Sequence, residues 1–164
     1  IGSSPFVLPI EGSERAIVAH DVLSEKVEVP GENVVIIGGG LVGFETAEFL
    51  ASRQKKVIIL EMKEKALQDL GPLRKITAQF AMAQMPITIE TSAIVERIED
   101  HAVVASGKEY PYDSVIMAVG SKANDTSMYT DLGSPTYIVG DCKKAGVALD
   151  AFKDAYHAVL EINK

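Results

Sequence analysis

The chain has 164 residues, a length that suits one domain with a sizeable core, and its 47% hydrophobic and 24% charged residues are ordinary for a globular protein. The net charge of −7, with Lys and Arg scattered in pairs such as Lys55–Lys56, argues against nucleic acid or an anionic membrane as a partner. The single cysteine excludes an internal disulfide and a two-cysteine redox centre within the chain, and it fits a reducing cytoplasm.

The first thirty residues contain Gly, Ser and Pro in IGSSPFVLPIEG, and we predict irregular structure there with a short helix over residues 19–23. Residues 1–10 lack the charged and apolar regions of a signal peptide. No apolar run in the chain is long enough to span a bilayer, so we expect no membrane segment. Pro30–Gly31 then marks a turn before the first long strand.

Residues 34–61, VVIIGGGLVGFETAEFLASRQKKVIILE, are the most informative part of the chain. An apolar strand runs into a glycine-rich turn, a helix follows, and a second apolar strand ends at an acidic residue. These parts are the strand Val34–Ile37, the glycines Gly38, Gly40 and Gly43, a helix over residues 41–52, the strand Val57–Leu60, and Glu61. Together they form the pattern of a β-α-β dinucleotide-binding unit.

Each glycine has a physical role in such a unit. Gly38 permits the sharp turn from strand to helix, Gly40 lets a pyrophosphate approach the backbone, and Gly43 lets the helix lie close to the sheet. The free N–H groups of the first helical turn and the helix dipole favour a phosphate there. The predicted phosphate loop is Gly38, Gly39, Gly40, Leu41 and Val42. The alternative interpretation is a structural turn in an ordinary α/β sheet.

Glu61 lies 18 positions after Gly43, close to the spacing of about 20 expected for the acid that binds the adenosine ribose. Its carboxylate would accept hydrogen bonds from the ribose hydroxyls and repel a 2′-phosphate, which favours NAD(H) over NADP(H). Lys63, two positions on, could soften this preference. The alternative is an exposed charge at the end of a strand.

The next segment predicts a second helix, a third parallel strand and a small antiparallel meander. The helix begins at Pro72, a residue suited to the first helical position, and ends before Pro86, with Leu73, Ile76, Phe80 and Ala83 on its apolar face. The strands are predicted at Ile87–Glu90 for the parallel sheet and at residues 94–99, 102–106 and near Tyr110 for the meander.

The last part of the chain begins with an apolar strand at residues 114–119, which ends at Gly120. We place Val119 and Gly120 at the carboxyl edge of the sheet, where ligands bind, although Gly120 also fits a simple turn. The further elements predicted are a polar loop at 121–131, a short strand at 137–139, and a helix at 147–163 with Ala151, Phe152, Ala155, Val159 and Ile162 on one face.

These elements predict an α/β fold, a Rossmann-like three-layer domain with a central parallel sheet and a small antiparallel meander. The flanks extend this interpretation through resemblance. The order of elements is similar to the NAD(P)-binding domain of two-dinucleotide-binding flavoproteins, and IGSSPFVLPIEG and TYIVGDC resemble the segments that join it to the FAD domain. The resemblance implies an NAD(H)-binding domain at 31–120 and arms of an FAD-binding domain at 1–30 and 121–164.

Within these flavoproteins the chain resembles the old yellow enzyme-like fusion proteins, which include 2,4-dienoyl-CoA reductase, 2-enoate reductase and trimethylamine dehydrogenase. GGGLVGFETAEFLA, the GDC at 140–142 and DAFKDAYHAVLEI carry this resemblance. It implies that Asp141 contacts the ribityl chain of FAD in a whole enzyme, a contact we do not expect from this chain alone. The first FAD motif, the FMN barrel and the iron–sulfur cysteines are missing, so we expect further domains as partners, although a complete small protein is an alternative.

The expected function is to bind NADH and position it for hydride transfer to a flavin, without turnover by the chain alone. The resemblance places Glu45 near the nicotinamide, although a solvated helix residue fits equally well. Cys142 is expected to be a small buried residue, and no catalytic triad, paired carboxylates or zinc pattern is visible. The alternatives are a non-catalytic module that holds an adenine nucleotide such as ADP and, more weakly, a structural or interaction domain.

Overall fold

The computed structural model describes residues 1–68, 70–130, 133 and 135–162. Two compact units are formed, one by Val7–Gly120 and the other by Ile1–Phe6 with Ser121–Lys164. The elements in chain order are β1 (Ser3–Pro5), β2 (Ile17–Val18), α1 (Ala19–Leu23), β3 (Asn33–Ile37), α2 (Leu41–Ser52), β4 (Lys56–Leu60), α3 (Pro72–Gln84), β5 (Ile87–Glu90), β6 (Val95–Ile98), β7 (Ala102–Ala105), β8 (Lys108–Pro111), β9 (Ser114–Met117), β10 (Ser121–Ala123), α4 (Ser127–Thr130) and α5 (Ala148–Ile162).

A parallel sheet organises the larger unit. Within the described part of the chain its five strands have the order β2-β9-β3-β4-β5, and every neighbouring pair is parallel. Runs of β-branched residues in β3 and β4 suit strands that are covered on both faces. The predicted α/β fold with a central parallel sheet is confirmed. The domain bounds at 31 and 120, and the assignment of the flanks to an FAD-binding domain, remain predictions.

The sheet separates two hydrophobic layers. Val34 and Ile36 of β3 face the helices and pack with Phe44 of α2, whereas Val35 and Ile37 face the meander. This division follows from the period-2 alternation of side chains along a strand. All four of these strand residues are at most 3% exposed.

The meander β6-β7-β8 is antiparallel, as predicted. Ser106 and Gly107, which join β7 to β8, have φ of 49° and 74°. Two positive φ values match the right-handed twist of the strands that such a two-residue turn connects. Val103, Ala105 and Tyr110 of the meander are buried against the sheet.

Helix α3 begins and ends where it was predicted, but its predicted apolar face is exposed. Leu73, Ile76 and Phe80 are 75%, 50% and 64% exposed, whereas Ala78 is fully buried. The helix packs through small and flexible side chains, with Ala81 and Met82 against the same core cluster as Ala78. A small residue at the contact lets the helix backbone approach the core closely, and this overrides the apolar stripe.

The smaller unit departs further from the sequence expectations. The predicted loop at 121–131 contains β10, which pairs antiparallel with β1, and α4, at whose start the Asp125 carboxylate accepts the Ser127 N–H. The predicted strand at 137–139 is wrong: Val139 has an extended backbone, but the segment joins no described strand and leads into a 3-10 helix at Gly140–Cys142. A strand forms only where a neighbouring strand pairs with it through backbone hydrogen bonds, so an extended conformation alone is not sufficient.

Helix α5 forms at Ala148–Ile162, close to the prediction, but none of its residues is buried. Phe152, Val159 and Ile162 of its predicted apolar face are 74%, 53% and 61% exposed. Asp131 and Asn163, where the loop and this helix were predicted to end, lie outside the described residues. In the part of the chain that the structure describes, no helix is long and apolar enough to cross a bilayer.

Candidate functional site

The glycine-rich turn joins β3 to α2 at the carboxyl edge of the parallel sheet. Gly38 has φ of 111°, and a Cβ there would lie 2.4 Å from the carbonyl oxygen of Ala118. A Cβ on Gly43 would lie 1.9 Å from the carbonyl oxygen of Gly38. These two positions therefore exclude any side chain, as the predicted turn and close helix–sheet contact require.

Helix α2 begins directly after this turn, with Gly40 as its extended N-cap residue. The first helical bond is donated by the Phe44 N–H to the Gly40 carbonyl at 3.0 Å. The first N–H groups of an α-helix have no partner within the helix, so those of Leu41 and Val42 are available to an anion. The side chains of both residues are half-buried and pack against the core.

Glu61 follows β4 and is only 8% exposed, so it is not the exposed strand-end charge of the alternative interpretation. Its Oε2 accepts the Gly39 N–H at 2.8 Å and its Oε1 accepts the Lys63 N–H at 2.9 Å. A carboxylate has about four lone-pair sites, so two bonds leave acceptor capacity for further donors. The carboxylate is therefore held beside the phosphate loop and can still accept hydroxyl groups.

Backbone hydrogen bonds fix the segment around Glu61 to the end of the neighbouring strand. The Glu61 N–H donates to the Glu90 carbonyl, and the Glu61 carbonyl accepts the Ala93 N–H, both at 2.9 Å. The Lys63 carbonyl accepts the Ser92 N–H at 3.0 Å, while the Lys63 side chain lies in an exposed segment. The exits of β4 and β5 are thus joined into one rigid edge.

The remaining predicted site residues of the larger unit are Glu45, Val119 and Gly120. Val119 and Gly120 follow β9 at the carboxyl edge of the sheet, and Glu45 lies in α2, which begins at this edge. Glu45 is half-buried on α2, and Val119 is half-buried and packs against the meander-side core. Gly120 is exposed with φ of 94°, and nothing lies within 4 Å of a Cβ built there. A glycine is thus favoured at position 120 because of the positive φ, and not because a Cβ would lack space there.

Asp141 belongs to the smaller unit. Its Oδ2 accepts the Ser3 hydroxyl at 3.1 Å and its Oδ1 accepts the Gly146 N–H at 3.3 Å. Cys142, expected to be buried, is half-buried, and its thiol donates to the Val139 carbonyl at 3.0 Å. Among the described residues no cluster of His, Cys, Asp and Glu has the arrangement of a metal site.

One residue at the loop was not anticipated. Leu67 is buried, has φ of 59°, and donates its N–H to the Gly39 carbonyl at 2.9 Å. The sequence carries a faint signal, since Leu67 and Leu70 are the two leucines of a mostly polar segment, EMKEKALQDL. Nothing in the sequence indicates the positive φ, because leucine rarely adopts it.

A parallel sheet with a glycine turn after its central strand and an acidic residue after the next strand is the arrangement of a Rossmann-like fold. The chain belongs to the pyridine nucleotide-disulphide oxidoreductase family, whose model matches residues 1–148.

The relatives are oxidoreductases. The chain is 32% identical to the NADH oxidase of Thermoanaerobacter brockii over 98% of its own length and 27% of the relative's. It is 33% identical to the cinnamate reductase of Clostridium sporogenes, covering 98% of the chain and 25% of the relative. The solved structure of a 2-naphthoyl-CoA reductase complex matches with a TM-score of 0.82 and 30% identity over 94% of this chain and 25% of that one. The chain thus spans about a quarter of the length of these relatives.

Proposed function

We propose that the chain is the NAD(H)-binding domain of a larger FAD-dependent oxidoreductase and that it positions NADH for hydride transfer to flavin. The observation that carries this proposal is the Glu61 carboxylate, which is buried and bonded to the Gly39 N–H of the phosphate loop. A carboxylate at this place can accept hydrogen bonds from the hydroxyl groups of an adenosine ribose. The neighbouring backbone N–H groups can donate hydrogen bonds to the diphosphate.

The residues present fit a dinucleotide. Side chains are excluded at Gly38 and Gly43 by backbone oxygens 2.4 and 1.9 Å from a Cβ, so the turn and the first turn of α2 lie close against the sheet. The first turn of α2 contributes N–H groups and the positive end of a helix dipole.

The roles of the individual residues follow from this fit. A nicotinamide bound by the domain supplies a hydride, and the protein contributes position and electrostatics. Glu61 accepts the ribose hydroxyls and repels a 2′-phosphate, which favours NAD(H), and Lys63 weakens that preference. Val119 and Gly120 lie at the carboxyl edge of the sheet, and the role proposed for Glu45 is contact with the nicotinamide, which the family resemblance supports.

The finer assignment is to the old yellow enzyme-like NADH:flavin oxidoreductases. Its support is the match of the chain over nearly its whole length to about a quarter of the NADH oxidase, the cinnamate reductase and the 2-naphthoyl-CoA reductase structure. In the whole protein Asp141 would bind the ribityl chain of FAD. FMN and an iron–sulfur cluster would belong to the remaining domains.

A nucleotide titration tests the proposal. The 164-residue chain should bind NADH more tightly than ADP and more tightly than NADPH, measured by calorimetry at fixed salt, and it should not turn over alone. Equal affinity for ADP and NADH would contradict the hydride-transfer role and would favour a module that only holds an adenine nucleotide. Absence of binding by NADH, NADPH and ADP at millimolar concentration would indicate a structural or interaction domain.

A further inference from the structure

Leu67 has a backbone conformation that is unusual for its residue type. Its φ of 59° lies in the left-handed region, yet its side chain is only 8% exposed and packs in the same core cluster as Phe44 and Leu70. Bulky residues rarely adopt this conformation, and it persists only where the surrounding structure determines it. The other described non-glycine residues with positive φ are all exposed and polar, namely Glu25, Gln54, Ser92 and Ser106.

The strained residue holds one side of the phosphate loop. The Leu67 N–H donates to the Gly39 carbonyl at 2.9 Å, while the Gly39 N–H donates to Glu61 Oε2 at 2.8 Å. The two hydrogen bonds act on different peptide groups, one on each side of Gly39. Neither peptide group can rotate without breaking a hydrogen bond.

The direction of the next donor follows from peptide geometry. The structure describes no cis peptide bond, so the planar trans group between Gly39 and Gly40 has its N–H opposite to its carbonyl. When Leu67 holds the Gly39 carbonyl, the Gly40 N–H points away from Leu67. The orientation of the last donor before α2 is therefore set by a residue 27 positions later in the chain.

We propose that Leu67 is a positioning residue for the nucleotide site, which clamps the Gly39 carbonyl so that the Gly40 N–H is oriented toward the diphosphate before the nucleotide arrives. The inference rests on the proposed function, because it names what orients the phosphate loop for its ligand. Holding the donor in advance removes part of the entropy cost of binding.

The first test compares Leu67→Pro with Leu67→Gly in the 164-residue chain. Both variants lose the leucine side chain, but glycine keeps the N–H and adopts φ of 59° freely, whereas proline lacks the N–H and fixes φ near −65°. We expect ADP to bind Leu67→Pro about tenfold more weakly than Leu67→Gly. Without the hydrogen bond from residue 67 to the Gly39 carbonyl, the Gly40 N–H is no longer held in one orientation. Equal ADP affinity in the two variants would overturn the inference.

The second test uses two variants that preserve hydrophobic volume and the N–H. Leu67→Met is unbranched at Cβ, whereas Leu67→Ile is β-branched and resists positive φ. We expect the amide hydrogen of residue 67 to exchange about fivefold faster in the isoleucine variant than in the methionine variant without nucleotide. We also expect a weaker ADP affinity in the isoleucine variant. A merely structural leucine would give equal ADP affinity in this pair even where the exchange rates differ, and that result would overturn the inference even if Leu67→Pro does not fold.

Nucleotide binding and the Leu67 clamp can be contradicted independently of each other. If the unaltered chain binds ADP and NADH but both variant pairs show equal affinities, the clamp is wrong and the proposed function stands. If the unaltered chain binds neither nucleotide at millimolar concentration, the proposed function is wrong and Leu67 has no nucleotide to position.

Discussion

Gly43 shows how one missing side chain determines the contact between α2 and the sheet. The nearest atom to a Cβ at this position is a backbone oxygen, which cannot move aside as a flexible side chain would. The spacing of the glycines in the sequence was sufficient to predict this role. The distance of 1.9 Å to the Gly38 carbonyl oxygen shows why any replacement must displace the helix.

We expect Gly43→Ala to destabilise the chain by about 3 kcal/mol and to abolish nucleotide binding, because the helix and its N–H groups must shift. Gly71→Ala is the matched control, since Gly71 has φ of −63° and nothing within 4 Å of a Cβ. The control should change the free energy of unfolding by less than about 0.5 kcal/mol. Urea unfolding and ADP titration measure both effects, and a stable Gly43→Ala variant that binds ADP would contradict the prediction.

Glu61 was predicted from its spacing, but its partners were not. The sequence indicates an acid at the end of β4, whereas the bonds to Gly39 and Lys63 depend on how the loop folds back. These bonds fix the carboxylate in one orientation, so a change at this position removes the support of Gly39 together with the proposed ribose acceptor.

We expect Glu61→Arg to shift the ratio of NADPH to NADH affinity by about tenfold toward NADPH, because a guanidinium attracts the 2′-phosphate that a carboxylate repels. Glu61→Ala should relax the preference without inverting it. Glu64→Ala is the matched control, an exposed glutamate three positions away. Calorimetric titration with both nucleotides gives the ratio, and an unchanged ratio in Glu61→Arg would mean that Glu61 does not touch the ribose.

Helix α3 shows where periodicity was sufficient and where it misled at the scale of an element. Its bounds at 72 and 84 follow from local signals, a proline at the first position and a proline after the end. Which face is buried depends on the surface that the helix meets, and here Ala78 faces the core while Phe80 does not. The hydrophobic spacing alone favoured the opposite face.

We expect Ala78→Leu to destabilise the chain by about 1–3 kcal/mol, since Ala78 is fully buried in the core cluster and three more carbons would overpack it. Phe80→Gln should cost less than about 0.5 kcal/mol, because Phe80 is 64% exposed. Urea denaturation of the two variants measures the difference. A larger loss for Phe80→Gln than for Ala78→Leu would restore the face that the sequence predicted.

At the scale of the whole molecule, burial is concentrated in the larger unit. β3 and β9 carry almost fully buried residues such as Ile36 and Ile116, whereas α5 has none. The coverage of about a quarter of the relatives is the basis of our proposal that further domains accompany this chain in a larger protein.

We expect amide hydrogens of β3 and β9 to exchange only by global unfolding and those of α5 to exchange through local opening, because few buried contacts hold that helix. Exchange followed by mass spectrometry in increasing urea measures this: protection in the strands should fall with urea, and protection in α5 should be low from the start. Equal protection of α5 and β3 without urea would contradict the prediction.

Local periodicity and glycines with fixed spacing were sufficient to predict the parallel sheet, the β-α-β unit, the meander and the glycine turn. The fold was needed to reveal four further features: the bonds of the Glu61 carboxylate, the buried face of α3, the pairing of β1 with β10 and the left-handed backbone of Leu67. Each of these depends on contacts between segments far apart in the chain, which residue type and spacing do not specify. The glycine turn was therefore predictable as a motif, while the hydrogen bond from the Leu67 N–H to the Gly39 carbonyl was not.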